Sequence, residues 1–194
     1  SDDSIGRRAA RDAVIDDMAR LPGAVKRALG LDGAMRELAA SLVDETSLLV
    51  FGRGYNYATA LEAALKVKEV SLMHSEGILA GEMKHGPLAL VDDALPIVVV
   101  ATRDRMHGKM LSVIAQLRAR SARLIVVCNE GDDDVAAACG PQDALVRVPH
   151  VVDALQPVVN IVPLQLLAYH LTVLRGHDVD QPRNLAKSVT VTED

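Results

Sequence analysis

Three short, uninterrupted apolar runs constrain what this chain can become. Residues 47–51 read SLLVF, 97–101 read IVVVA and 124–128 read LIVVC. None alternates apolar with polar, as a strand with one wet face would, so each is expected to be a strand buried on both sides. Helical spacing separates them, over 56–72 and 107–120. A shorter strand is expected at 144–148 and another near 73–78, with a long apolar helix at 156–175. Pro157 falls in the first turn of that helix, where proline is tolerated, and Pro163 is expected to kink its interior. Repeated strand–helix alternation is the pattern of an α/β fold: a parallel sheet of about five strands, flanked by helices on both faces.

The N-terminal stretch, residues 4–43, also carries helical spacing. Leu21-Pro22-Gly23 is expected to break it, leaving short helices at 24–29 and 34–42. Residues 178–194 are polar and lack helical periodicity. The chain has 194 residues and fits one domain with a real core. Aromatics are only 2%, so that core must be built from Ala, Val, Leu and Ile, which lets helix and sheet approach closely.

Composition also excludes function classes. A net charge of −5 without a long basic stripe argues against nucleic acid as a partner. No apolar run is expected to reach the 18 residues of a membrane span, and no signal peptide is evident. Cys128 and Cys139 are too few for a disulfide framework, and Cys128 reads as a small buried hydrophobe. The expected setting is cytoplasmic. No histidine pair has metal-ligand spacing, so neither metal nor cofactor is called for. The turn Phe51-Gly-Arg-Gly-Tyr invites a dinucleotide reading, but Tyr57 stands where the third glycine would be.

The chemistry-bearing residues crowd into residues 51–90. On a wheel of about 100° per residue, Glu62, Lys66 and Glu69 share a sector of roughly 60°. Most of the rest of the circumference is apolar, Lys68 excepted. A helix apolar nearly all round is buried, so the charged stripe is expected to face a cleft or an interface. The same spacing suits a plain ion-pair ladder worth a few tenths of a kcal/mol. His85 lies in Lys84-His85-Gly86-Pro87, a turn that cannot continue a helix. It is either a proton donor–acceptor near neutral pH or a turn histidine satisfying a backbone group. Lys187, in Arg183-Asn-Leu-Ala-Lys-Ser-Val-Thr, reads by itself as solvated surface.

Taken together, GRGYNYATALEAALKVKEVSLMHSEGILAGEMKHGPLALVDDALP, VPLQLLAYHLTVLRGHDVDQPRNLAKSVTV and the strands between them resemble the C-terminal sugar-isomerase (SIS) domain of the glucosamine-6-phosphate synthase family. The wording GYNYAT and HSEGILAGE is similar to the eukaryotic-type members. The resemblance covers essentially the whole chain and implies one SIS domain over 1–194, with 178–194 as an ordered active-site tail. It implies an aminotransferase that converts fructose 6-phosphate and glutamine-derived ammonia to glucosamine 6-phosphate. Glu69 would shuttle the proton between C1 and C2, and Lys66 would neutralise the developing charge. His85 would open the sugar ring from a neighbouring protomer, implying a homodimer. Lys187 would form the Schiff base, with Ala186 and Val189 lining the substrate pocket.

Ser1 stands where no initiator methionine is found, and no cysteine precedes Cys128. The family's glutaminase domain and first SIS domain are therefore expected to lie outside this chain. The loops GRGYN and TRDRMHGK lack the hydroxyl cluster that a phosphate cradle wants. Two rivals remain: a free-standing SIS-type sugar-phosphate isomerase or deaminase, and a non-catalytic sugar-phosphate-sensing module. On the family ending, Thr192-Glu193-Asp194 departs from the resemblance by running past the usual stop.

Overall fold

A computed structural model of the chain describes residues 2–183, so Ala186, Lys187 and Val189 lie outside the described residues. The apolar runs become strands of one parallel sheet: β1 (Ser47–Gly52), β2 (His74–Leu79), β3 (Pro96–Val100), β4 (Arg123–Asn129) and β5 (Ala144–Val148), in the order β2-β1-β3-β4-β5. Parallel register is set by pairs such as Ser47 with His74, Leu49 with Ile97 and Ile97 with Leu124. The helices are α1 (Asp2–Leu29), α2 (Asp32–Ala40), α3 (Tyr55–Ser71), α4 (His107–Arg118), α5 (Asp133–Ala138) and α6 (Gln156–Leu174).

Alternate residues of each strand feed two separate cores. Leu48, Val50, Val98, Val100, Ile125 and Val127 face α1, α2, α3 and α6. Leu49, Phe51, Ile97, Val99, Val126 and Cys128 face α4, α5 and the two 3₁₀ segments after β2, Ala80–His85 and Pro87–Leu90. The predicted two-sided parallel sheet is what forms.

Two glycines set how closely α3 seats on the sheet. A Cβ at Gly52 would stand 2.0 Å from the Asn56 carbonyl oxygen. A Cβ at Gly77 would stand 2.7 Å from both the Ala60 oxygen and the Leu61 Cα. Ala60, Ala63 and Ala64 complete the contact from the helix side, all buried. The helix backbone therefore lies almost directly on β1 and β2, as an aromatic-poor composition permits.

Two expectations need correction. Pro22 and Gly23 do not break the N-terminal helix: α1 runs unbroken through them. Both are exposed, so the lost backbone bond falls on the wet side, while Ala24 and Ala28 anchor the helix in the core. Pro163 lies inside α6, as its position in the apolar run implied. That same helix is long and apolar enough to cross a membrane by length and composition, contrary to the expectation that no such run exists. It is a core helix here: Val159, Leu164, Leu167 and Leu171 are buried against the elements of the first core. The short α5 was not anticipated.

Gly77→Ala should lower stability by about 2 kcal/mol, because a methyl has no room against backbone atoms. Urea unfolding with an unchanged midpoint would refute this seating of α3.

Candidate active site

The charged stripe of α3 forms as its spacing implied. Lys66 Nζ lies 2.7 Å from Glu69 Oε2 and 3.7 Å from Glu62 Oε1. The hydrogen bond that Lys66 donates to Glu69 raises the Lys66 pKa above its ordinary 10.5 despite the opposing effect of partial burial, and Glu62 adds to the rise. Lys66 is thus a fixed cation at neutral pH, held against Glu69. The stripe is not enclosed, however: Lys66 and Glu69 side chains are 33% and 27% exposed. Nor is the rest of the helix buried all round, since Tyr55, Leu61 and Leu65 are exposed beside it. The charged groups sit on a partly apolar outer face.

The tail starts beside this stripe. Val70 and Leu72 line a cavity of about 160 Å³ together with Gly176, His177, Pro182 and Arg183. Arg175 fixes the exit of α6 there, donating to the Ser71 carbonyl at 3.3 Å and to the Glu45 carbonyl. The described part of the tail therefore packs against the residues that follow Glu69.

His85 is elsewhere. It ends the 3₁₀ segment whose Met83 is buried in the second core, whereas α3 covers the first. The sheet stands between the segments that carry His85 and Glu69. His85 is exposed, and Gly86 turns the chain with φ 147°. Neither thiol is poised for chemistry, because burial pushes Cys128 and Cys139 up to about 11.

Sequence reading missed a second concentration of polar groups, at the carboxyl ends of the strands. In a sheet of order β2-β1-β3-β4-β5, the connections leave β1 and β3 in opposite directions, which opens a crevice between their ends. Gly54, Tyr55, Asp104, Arg105, Met106 and Asp153 line a cavity of about 360 Å³ at that point. Beneath it runs a buried network. Asn56 Nδ2 donates to Thr102 Oγ1 at 3.1 Å and to Asp104 Oδ2 at 3.2 Å. Asn160 Nδ2 donates to Asn56 Oδ1 at 2.8 Å, and Gln156 Nε2 to Asn160 Oδ1 at 2.8 Å. Burial pushes the Asp104 carboxyl up and Asp153 adds to this, while the Met106 N–H works against both. Strand order cannot be read from sequence, so these scattered Asn, Thr and Asp residues carried no signal.

Asp132 buttresses the same edge. It is fully buried, caps α5 by accepting from Val135 N at 3.3 Å, and accepts from His107 Nε2 at 2.9 Å, with Arg103 Nε 3.4 Å away. Burial alone would raise its pKa, but the Val135 N–H, His107 and Arg103 outweigh this and hold it below the ordinary 3.8. Among the described residues, no group of three or more His, Cys, Asp or Glu side chains is arranged to hold a metal.

Comparison with known proteins places these features in context. A family described as the SIS domain matches residues 41–175. A protein named glutamine–fructose-6-phosphate aminotransferase [isomerizing] 1 from Arabidopsis thaliana is 67% identical over 97% of this chain and 28% of its own length. The Saccharomyces cerevisiae protein named glutamine–fructose-6-phosphate aminotransferase [isomerizing] is 50% identical over 98% of this chain and 27% of its own length. The chain thus spans little more than a quarter of these curated relatives. A solved C-terminal domain of glucosamine-fructose-6-phosphate aminotransferase from Francisella tularensis superposes with a TM-score of 0.80 at 35% identity, over 84% of this chain and 45% of that one.

Asp132→Asn should cost about 2 kcal/mol at pH 7, by weakening bonds to a buried charged acceptor. A carboxyl held below its unfolded pKa stabilises the fold above that unfolded value and loses the effect as pH falls through the folded value. The gap between wild type and variant should therefore shrink below about pH 3.8. A gap in denaturant unfolding that stays constant down to pH 2 would contradict the assigned charge.

Proposed function

The chain belongs to the SIS domain family, and from that membership we propose that it is the isomerase half-site of a glutamine–fructose-6-phosphate aminotransferase. In this reading it converts fructose 6-phosphate and ammonia to glucosamine 6-phosphate, through a Schiff base on Lys187 and a proton transfer between C1 and C2. The observation that carries the reading is the Lys66–Glu69 contact of 2.7 Å on a partly open face. A carboxylate held there accepts the C1 proton as general base and returns it at C2 as general acid. Lys66, kept cationic, offsets the negative charge that develops on the enediol-like intermediate.

The tail supports the same reading. Three residues lie between Arg183 and Lys187, a span of at most about 14 Å of extended chain. Arg183 lines a cavity with Val70 and Leu72, just past Glu69 on α3, and in this reading Lys187 acts on the same face. Ala186 and Val189 would line the pocket on either side of it. His85 would act in ring opening from a second protomer, because its own sheet separates it from its own Glu69. The exposed Tyr55, Leu61 and Leu65 of α3, with Tyr169 and Val173 of α6, offer an apolar face for such a partner or for a preceding domain. We place the phosphate grip on a first SIS domain and the ammonia source on a glutaminase domain of a longer parent chain. That parent is a cytoplasmic homodimer in this proposal.

A chimera tests it: these residues replace the matching segment of the Arabidopsis relative. Glucosamine 6-phosphate formation should persist in the chimera and fall at least about 100-fold in kcat on Glu69→Gln. Borohydride should trap fructose 6-phosphate on Lys187 and not in Lys187→Ala. Undiminished turnover in Glu69→Gln would overturn the assignment. Turnover by the 194-residue chain alone with ammonium salts would favour a free-standing isomerase or deaminase.

A further inference from the structure

On the α4 side of the sheet, away from the Lys66–Glu69 stripe, three cations surround one cavity. Arg53 follows β1, Lys84 lies in the 3₁₀ segment after β2, and Lys109 is in the first turn of α4. With Ser112, Gln116 and Met83 they line a hollow of about 300 Å³. No carboxylate lines it among the described residues, and none of the three cations forms an ion pair among them. In a chain of net charge −5, such a hollow has no counterpart among the other described cavities that combine basic groups with acidic ones.

The backbone is arranged to admit the guanidinium. Arg53 Nη1 and Cζ lie 3.4 and 3.6 Å from where a Cβ on Gly81 would stand. Gly81 thus leaves a flat surface against which Arg53 rests at the wall of the hollow. Ser112 Oγ donates to Gly108 O at 3.1 Å and Gln116 Nε2 to Ser112 O at 2.9 Å. Ser112 spends its hydroxyl proton and Gln116 one of its two amide protons on the backbone of α4, so the charged donors left for a ligand are Arg53, Lys84 and Lys109. A guanidinium fork flanked by two ammonium groups matches a tetrahedral dianion: two oxygens meet the fork and the others take point charges. Met83 and Val113 give the hollow an apolar floor, which limits screening on that side.

We propose that this hollow is a second anion site, which binds a phosphate group, either free or carried by a small sugar phosphate. It is separate from the proposed isomerase site, since it lies across the sheet from α3 and uses none of Glu62, Lys66 or Glu69. It stands on its own geometry and does not depend on the aminotransferase reading.

The test uses the purified 194-residue protein with inorganic phosphate at an ionic strength of about 10 mM, where screening is weak. Titration followed by amide NMR should move the signals of Gly81, Lys84 and Ser112 to saturation. The double variant Lys84→Ala/Lys109→Ala should bind at least about tenfold more weakly, and Arg53→Ala should do the same. Lys109→Gln alone, at an exposed position, should weaken binding without touching the fold. Arg105→Ala, on the switch-point crevice, should leave affinity within about twofold, which separates a built site from general charge loss. Tighter binding of glucosamine 6-phosphate than of phosphate would assign a sugar-phosphate ligand, and equal binding would assign free phosphate. Non-saturating shifts, shifts confined to Gly54 and Asp104, or unchanged affinity in the double variant would overturn the proposal.

Discussion

The absence of side chains at Gly52 and Gly77 fixes more of this molecule than any hydrogen bond does. With backbone atoms 2.0 and 2.7 Å from where a Cβ would stand, α3 has one rotation and one height on the sheet. That rotation turns Asn56, Thr59 and Ala63 inward and leaves Glu62, Lys66 and Glu69 on the outer rim. The same seating delivers Asn56 to the network under the strand ends and Glu69 to the start of the tail. A larger residue at either glycine would rotate or lift the helix, and both polar arrangements would move with it. Interiors this dense pass such a displacement on instead of absorbing it.

Much of the fold was legible because the strands are buried on both faces. Runs such as Ile97-Val98-Val99-Val100 have no alternative that keeps so many branched side chains from water, and the observed strands lie within a residue or so of the expected ones. The errors came where burial was one-sided. Leu21-Pro22-Gly23 carries strong breaking signals, yet the break did not occur because Ala24 and Ala28 hold α1 on the core. The nearly uncharged α6 is a core helix, and its composition alone cannot distinguish that from a membrane span.

The site was legible in a different way. Spacing put Glu62, Lys66 and Glu69 together and left open whether they are a ladder or a site. The structure adds that Lys66 is bound more closely to Glu69 than to Glu62, and that exposed Leu61 and Leu65 adjoin the stripe. Those neighbours suit the docking of another surface that the proposed function calls for. What remained illegible was the crevice at the strand ends. Asn56, Asp104 and Asn160 are far apart in sequence, and only the strand order β2-β1-β3-β4-β5 brings them together.

In the proposed reading the two faces of the sheet carry different tasks. Lys66, Glu69 and the outgoing tail share one side, and His85 with the Arg53–Lys84–Lys109 hollow belongs to the other. A five-stranded sheet filled with Val, Ile and Leu is too thick and too well packed for side chains on opposite faces to meet. If His85 and Glu69 act on one sugar, the meeting must be between two copies of the chain. Residues 69 and 85 are sixteen positions apart in sequence, with the whole of β2, His74–Leu79, between them. In the proposed reading, the two residues therefore meet only when a second copy of the chain brings its His85 to the Glu69 face.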